Sequence, residues 1–397
     1  MPAPCEPMPV RTLTLSGFRS YEQLEVVLDD GPHVVVGPNA AGKTNLVEAL
    51  VVLSTGRSHR SAADPEMVRW GSDLARVAAD IDGPRRSETV EVVIHASGTA
   101  AGARKRVRVN GVNRRSSSLG TVLRSVLFAP EDMDLVVGSP SLRRNLLDAL
   151  VAQREPMAAA VMSTYARALT QRNSLLRRIR EDEAGREELG YWDTVLLENG
   201  TRILEWRHET LAALSDPLAL AHREIAPDEP RLELRYTSNV ERRADESHAQ
   251  ALRRRLRETA EKEVWNGATL VGPHRDDILF VSARRELTRF ASRGQQRTAI
   301  LALKLAELDL LTQLDGQPPL LLLDDVFSEL DPQRRAHLVR RIGALPQAIV
   351  TTTTADDLDP ALVAASRLWE VSPGRVEPAA STGAAVAEAR RQGGAET

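Results

Sequence analysis

The stretch that most constrains this chain is GPNAAGKT, Gly37–Thr44, because its flanks fit it. HVVVG (His33–Gly37) reads as a buried strand before it, and NLVEALVVL (Asn45–Leu53) reads as an apolar helix after it. Strand, G-x-x-x-x-G-K-[ST] and helix form a phosphate loop, in which backbone N–H groups converge on an anion at a helix N-terminus. Gly37, Pro38, Asn39, Ala40, Ala41, Gly42, Lys43, Thr44 and Asn45 are therefore the candidate nucleotide-binding residues. Lys43 is expected to bridge the β- and γ-phosphates of ATP, and the Thr44 hydroxyl to ligate Mg²⁺. Lysine occurs only at positions 43, 105, 262 and 304 in an otherwise arginine-rich chain, so a compact ammonium at 43 stands out against the background.

A partner for this loop lies far downstream in PPLLLLDDVFSELD, Pro318–Asp331. Four leucines describe a strand buried on both faces, which delivers Asp324 to the sheet edge beside the phosphate loop. Asp324 is the candidate Mg²⁺ ligand through water, and Asp325 the candidate catalytic carboxylate beside Lys43. Just before that strand, ASRGQQRTAI (Ala291–Ile300) opens an apolar-periodic helix with an anion-holding turn: Ser292, Arg293, Gly294 and Gln295. Two readings stand for Ser292, a phosphate contact and a helix N-cap, and one side chain can serve both.

The rest of the chain sets bounds. A formal charge of −3 excludes a uniformly basic nucleic-acid coat, and 4% aromatics argue against base stacking on a run of rings. One cysteine excludes an internal disulfide framework and suits a cytoplasmic protein. Apolar runs are too short to span a bilayer, and no membrane partner is expected. The pattern is α/β at both ends and helical from Pro140 to about Trp265, with LELRYT (Leu232–Thr237) as a strand-like exception. The expected division is a head over 1–130, a mostly helical insertion over 131–267, the rest of the head over 268–375, and a disordered tail over 376–397.

Phosphate loop, acidic strand end and Ser-x-Gly-Gln turn, in that order, resemble the ATP-binding-cassette ATPases of chromosome maintenance. Within them the chain is similar to the RecF family, through FRSYEQLEV (Phe18–Val26), GPNAAGKTN (Gly37–Asn45), STGRSHR (Ser54–Arg60), LFAPEDMDLVVGSPSLRRNLLD (Leu127–Asp148), GPHRDDI (Gly272–Ile278), SRGQQR and LLLLDDVFSELD. The resemblance implies a P-loop NTPase head of α/β class, split in sequence by a helical side domain. It also implies an ATP-dependent homodimer in which Ser292, Arg293, Gly294 and Gln295 reach the γ-phosphate held by the second copy. SELD (Ser328–Asp331) resembles the loop that crosses the same interface. Weak, DNA-dependent ATP hydrolysis, binding to gapped or junction DNA, and work with RecR, RecO and RecA follow from the same resemblance.

Other features keep two readings each. RKRVRV-NG-VNRR (Arg104–Arg115) is a hairpin with an Asn-Gly turn, and period-two alternation puts Arg104, Arg106 and Arg108 on one face, to meet DNA or water. Arg143, Arg144 and Asp148 share a helix and form either an internal i,i+4 pair or a ligand contact. GPHRDD is a polar hinge or, less simply, a metal site through His274, Asp276 and Asp277. Thr351–Thr354 stand where transporter cassettes carry a switch histidine, and a threonine hydroxyl there is able to bond a γ-phosphate. Asp325 replaces the glutamate of those cassettes; one methylene shorter, it suits slow hydrolysis. Asp132 is given no role.

Overall fold

The computed structural model describes residues 9–61, 63–83, 87–96 and 105–379. Arg104 and residues 380–397 of the expected tail lie outside them. In chain order the elements are β1 Val10–Phe18, β2 Tyr21–Val27, β3 Gly31–Val36, α1 Lys43–Thr55, β4 Leu74–Asp82, β5 Ser87–His95, β6 Lys105–Val109, β7 Val112–Arg114 and β8 Ser125–Phe128. There follow α2 Asp134–Val137, α3 Pro140–Arg154, α4 Ala158–Arg180, α5 Leu189–Ile225, β9 Leu232–Thr237, α6 His248–Asn266, β10 Asp277–Ser282, β11 Arg285–Glu286, α7 Leu287–Phe290 and α8 Arg293–Asp315. The chain closes with β12 Leu320–Asp324, α9 Pro332–Gly343, β13 Gln347–Thr352, α10 Pro360–Ala365, β14 Arg367–Ser372 and β15 Arg375–Pro378. Two compact units result, one from residues up to Pro130 and from Leu311 onward, the other from Glu131–Leu310.

The first unit holds two sheets. One is antiparallel in the order β2-β1-β4-β5-β6-β7; the other runs β15-β14-β3-β13-β12-β8, parallel except for β15 at its edge. One apolar cluster draws Leu15, Val77 and Val92 from the first sheet, Leu46, Val47 and Leu50 from α1, and Val35, Leu322 and Ile349 from the second. This explains why α1 is apolar nearly all round: it is covered on several sides, and each fully buried Leu or Val stabilises the unit by about 1.5–3 kcal/mol. β13 lies between β3 and β12, so the phosphate loop and the acidic strand end emerge on one edge with a single strand between them. Sequence reading passes over β4 and β14; both carry outward charges between buried residues, as in LARVAADID and RLWEVS.

The second unit is helical around the sheet β11-β10-β9. Tyr165, Leu196, Ile203, Leu204 and Leu252 form its main cluster. Gly200 on α5 and Gly272 admit Tyr165: a Cβ at Gly200 would lie 3.0 Å from Tyr165 Cε2, and one at Gly272 (φ +128°) 2.6 Å from its hydroxyl. Around this ring lies a set of buried arginines, each with its own carboxylate. Arg172 donates to Asp193 (2.7 Å) and Thr269 (2.8 Å) and pairs with Glu263 at 2.8 Å. Arg207 donates to both oxygens of Asp148 (2.7 and 2.8 Å) and to the Pro273 carbonyl.

Two expectations change here. Arg143, Arg144 and Asp148 do not pair within their helix: Arg143 donates to both Asp277 oxygens (2.8 and 2.9 Å), Arg144 to the Asp276 carbonyl, and Asp148 accepts from Arg207. GPHRDD is spent on the same network, with Tyr236 and Ser238 hydroxyls donating to Asp276 at 2.6 Å each. Among the described residues no group of three or more His, Cys, Asp or Glu is placed to hold a metal. Residues 268–310, expected with the head, fall in the compactness of the second unit because β10 pairs with β9 along its length. No helix among the described residues is long and apolar enough to cross a membrane.

His274 ties this network together. Tyr165 Oη donates to its Nδ1 (2.7 Å), and Nε2–H donates to the Thr269 carbonyl (3.2 Å), an arrangement that requires a neutral ring. Burial, joined by nearby arginines, pushes its pKa down to about 4 from 6.5. Burial also lowers His33, His208, His222 and His248. The unfolded chain therefore takes up protons that the native imidazole refuses, and stability present above pH 6.5 is lost as pH falls towards 4. Thermal unfolding midpoints are expected to drop across that window, with a shallower slope in His274→Gln than in the wild type.

Candidate functional site

The phosphate loop is braced from outside. Its first residue, Gly37, lies so close to β14 that a Cβ would meet the Val371 carbonyl oxygen at 2.4 Å. Ala40 and Gly42 take positive φ, +64° and +121°. Tyr21 Oη donates to the Gly42 carbonyl (3.1 Å), and Asn45 Nδ2 to Ser20 Oγ (2.9 Å), so FRSY on the β1–β2 turn supports the loop. The next layer is Glu48, fully buried in α1, to which Arg19 donates twice (2.8 and 2.6 Å) and Ser58 once. Arg60 donates to Asn45 Oδ1 at 3.2 Å. Ser58 and Arg60 of STGRSHR thus set their side chains on Glu48 and Asn45 in the first turns of α1, a role that their residue types alone do not reveal.

Lys43 is 6% exposed and folds back over its loop, donating to the Gly37 carbonyl (2.6 Å) and the Pro38 carbonyl (3.1 Å). Burial lowers its pKa while Asp325 and Asp324 work against that. The first turn of α1 has no side-chain cap and no acidic residue, which leaves its N–H groups without a side-chain acceptor and its positive end uncompensated. Thr44 follows in the same turn.

Asp324 ends β12 and is 4% exposed; Thr351 Oγ1 on β13 donates to its Oδ1 at 2.6 Å. Asp325 has φ +53° and donates its N–H to both the Thr351 carbonyl (3.2 Å) and Thr351 Oγ1 (3.1 Å). Burial raises the pKa of Asp325, helped by Asp324, Asp357 and Glu329 and opposed by Lys43. Ser328 Oγ, from SELD, donates to the Asp325 carbonyl (2.9 Å), and Asp331 caps α9 through Arg334 N–H. Within Thr351–Thr354 the hydroxyls of Thr351 and Thr352 donate inward, and that of Thr354 accepts. Thr351 is committed to Asp324 and Asp325, Thr352 donates to the Thr354 carbonyl, and Thr354 Oγ1 accepts from Asp356 N–H.

In the second unit, Ser292 and Gln295 form a reciprocal cap: Gln295 N–H donates to Ser292 Oγ (3.2 Å) and Ser292 N–H to Gln295 Oε1 (3.0 Å). Ser292, Arg293 and Gln295 are exposed. A Cβ on Gly294 would meet nothing closer than Ser292 Oγ at 3.8 Å. Deeper on α8, buried Lys304 pairs with Asp132 (3.1 Å) and Glu307 (3.6 Å), and burial lifts the Glu307 carboxyl to about 7 against the pull of Lys304. Asp132 therefore has a structural partner that sequence reading missed, 172 positions away.

The hairpin forms as expected, with Asn110 and Gly111 at φ +52° and +75°. Arg108 is paired with Glu91 (3.2 Å), which Arg76 also holds, while Arg106 is exposed. The Gly37 packing is testable: Gly37→Ala forces the loop away from β14 and is expected to cost about 1–3 kcal/mol, seen as a fall of roughly 3–10 °C in unfolding midpoint.

The family described as "RecF/RecN/SMC N terminal domain" matches residues 9–373. "DNA replication and repair protein RecF" of Bacillus thuringiensis (strain Al Hakam) is 36% identical over 93% of this chain and 98% of its own length, as is that of Bacillus cereus (strain AH187). The solved structure of the recombination mediator protein RecF-ATP in the RecFOR pathway superposes with a TM-score of 0.86 at 28% identity, covering 96% of this chain and 100% of that one. The Smc head of Pyrococcus furiosus shares the fold, with a TM-score of 0.53 at 16% identity over 97% of this chain and 99% of that one. The chain belongs to the RecF family, within the RecF/RecN/SMC group of ATPase-head proteins.

Proposed function

We propose that this chain is an ATP-dependent, DNA-binding recombination mediator that dimerises on DNA when ATP is bound and releases it after slow hydrolysis. Its relatives carry the names of a DNA replication and repair protein and of a recombination mediator in the RecFOR pathway, one solved with ATP. On this reading its partners are RecR, and through it RecO and RecA, at single-stranded gaps.

One observation carries the proposal: the chain has two anion-holding surfaces of complementary incompleteness. The phosphate loop has its lysine, its uncapped helix turn and its carboxylate pair, while Thr351 and Thr352 give their hydroxyl protons to Asp324 and to the Thr354 carbonyl rather than to a terminal phosphate. The α8 turn has exposed Ser292 and Arg293 and open space beside Gly294. Glycine costs a helix roughly 1 kcal/mol relative to alanine. No neighbour among the described residues requires it at 294, whereas a phosphate approaching the backbone from a second copy does. Gly37–Asn45 hold ATP, and Ser292, Arg293, Gly294 and Gln295 of the other copy complete its site.

Thr44 and Asp324 supply the hard oxygen donors that suit Mg²⁺ with several waters, and Asp324 keeps Oδ2 for that purpose while Oδ1 accepts from Thr351. Mg²⁺ would neutralise phosphate charge there. Lys43 exchanges its loop carbonyls for phosphate oxygens. Asp325, with its raised pKa and short side chain, orients the attacking water and accepts its proton. ATP contacts made only across the dimer shift monomer to dimer by their differential free energy, and a few kcal/mol suffices at micromolar concentration. Arg104, Arg106 and Arg108 remain the DNA candidates on the hairpin, with Arg108 having to leave Glu91 to reach a phosphate.

Sedimentation with ATP, ADP or no nucleotide, with and without gapped DNA, tests the proposal. Wild type is expected to dimerise with ATP and Mg²⁺. Lys43→Met and Ser292→Arg stay monomeric, the former through lost ATP binding and the latter with ATP binding retained. Monomers in the wild type at saturating ATP with DNA present would overturn it.

A further inference from the structure

We infer that Thr351 is a positioning residue for ATP hydrolysis, its single hydroxyl setting the orientation of both carboxylates at the end of β12. The inference rests on the reading under Proposed function and adds a residue to it. Thr351 is wholly buried, so its hydroxyl has no water to satisfy it. It carries one proton, and at 2.6 Å from Asp324 Oδ1 that proton goes to the carboxylate. The oxygen lone pairs are then left to accept, and Asp325 N–H takes that place at 3.1 Å. One atom therefore fixes the Asp324 side chain by donating and the Asp325 backbone by accepting.

Both constraints matter for chemistry. Bonding through Oδ1 leaves the other Asp324 oxygen as the one to serve a cation. The N–H contact helps hold Asp325 at φ +53°, a left-handed backbone that few non-glycine residues tolerate and that aspartate tolerates better than most. Without the hydroxyl contact Asp325 N–H keeps only the Thr351 carbonyl, and its backbone and carboxylate are held less firmly. Thr351 is wholly buried, so it acts through the two carboxylates it positions. Register supports the arrangement, since Asp324 and Thr351 are Cα partners in the parallel β12–β13 pair.

The test compares wild type, Thr351→Val, Thr351→Ala, Thr351→Ser and Asp325→Asn. Valine keeps shape, and Asp325 N–H keeps the Thr351 carbonyl at 3.2 Å, so the fold is expected to persist in the unfolding midpoint. Calorimetric titration with ATP in EDTA should give affinity within about twofold of wild type for the valine and alanine variants. The extra affinity that Mg²⁺ confers should fall roughly tenfold, and single-turnover hydrolysis by ten- to a hundredfold, as for loss of a hydrogen bond to a charged group. Thr351→Ser should recover most of both. Valine and alanine variants matching wild type in Mg²⁺ dependence and rate, or a serine variant as impaired as valine, would overturn the inference. Undiminished hydrolysis by Asp325→Asn strikes the role of Asp325 instead, and leaves the Mg²⁺-dependent affinity to judge Thr351; wild type that binds no ATP sinks both.

Discussion

The ammonium of Lys43, held by two carbonyls of its own loop and faced by Asp324 and Asp325, is the interaction around which the first unit is organised. A lysine this buried is costly unless every surrounding group is fixed, and the fold fixes them from several directions. β14 presses on Gly37, Tyr21 and Ser20 brace Gly42 and Asn45, and β13 sets the carboxylates through Thr351. The apolar sheath of α1 makes the helix immobile enough for its N-terminus to act as a binding surface. Packing and chemistry meet there at the same residues.

Local signals were legible in the sequence. The phosphate loop, the leucine strand with its acidic end and the Asn-Gly hairpin depend on residues within a few positions of one another, and each stands where its pattern puts it. The Ser292 cap was legible for the same reason, since Ser-x-x-Gln closes within one turn. What failed were the long-separation pairings that no motif marks. Arg143 looked ready to pair along its helix, yet its carboxylate stands 134 residues away. Gly37 is needed because of Val371, and Glu48 is paired with Arg19 from the β1–β2 turn. Single-sequence periodicity carries no such information.

The second unit shows why arginine rather than lysine fills its interior. Arg143 and Arg207 each bind a carboxylate in a two-pronged geometry and still reach a backbone carbonyl, which a point charge does less well. The lysine that is buried there, Lys304, sits between two carboxylates, one of which burial drives towards its neutral form. Removing one member of such a cluster leaves an uncompensated charge, so these networks fix one arrangement of helices more than they add net stability.

The reciprocal cap at the start of α8 has a kinetic side. Ser292 Oγ accepts from Gln295, and that bond leaves the hydroxyl proton undirected, in a turn already shaped for its helix. In the proposed dimer the hydroxyl donates outward without any internal bond being broken first. Docking then needs little rearrangement of this turn, and its pace follows from how often two nucleotide-loaded copies collide in register, a quantity that rises with protein concentration and with confinement along a shared strand of DNA.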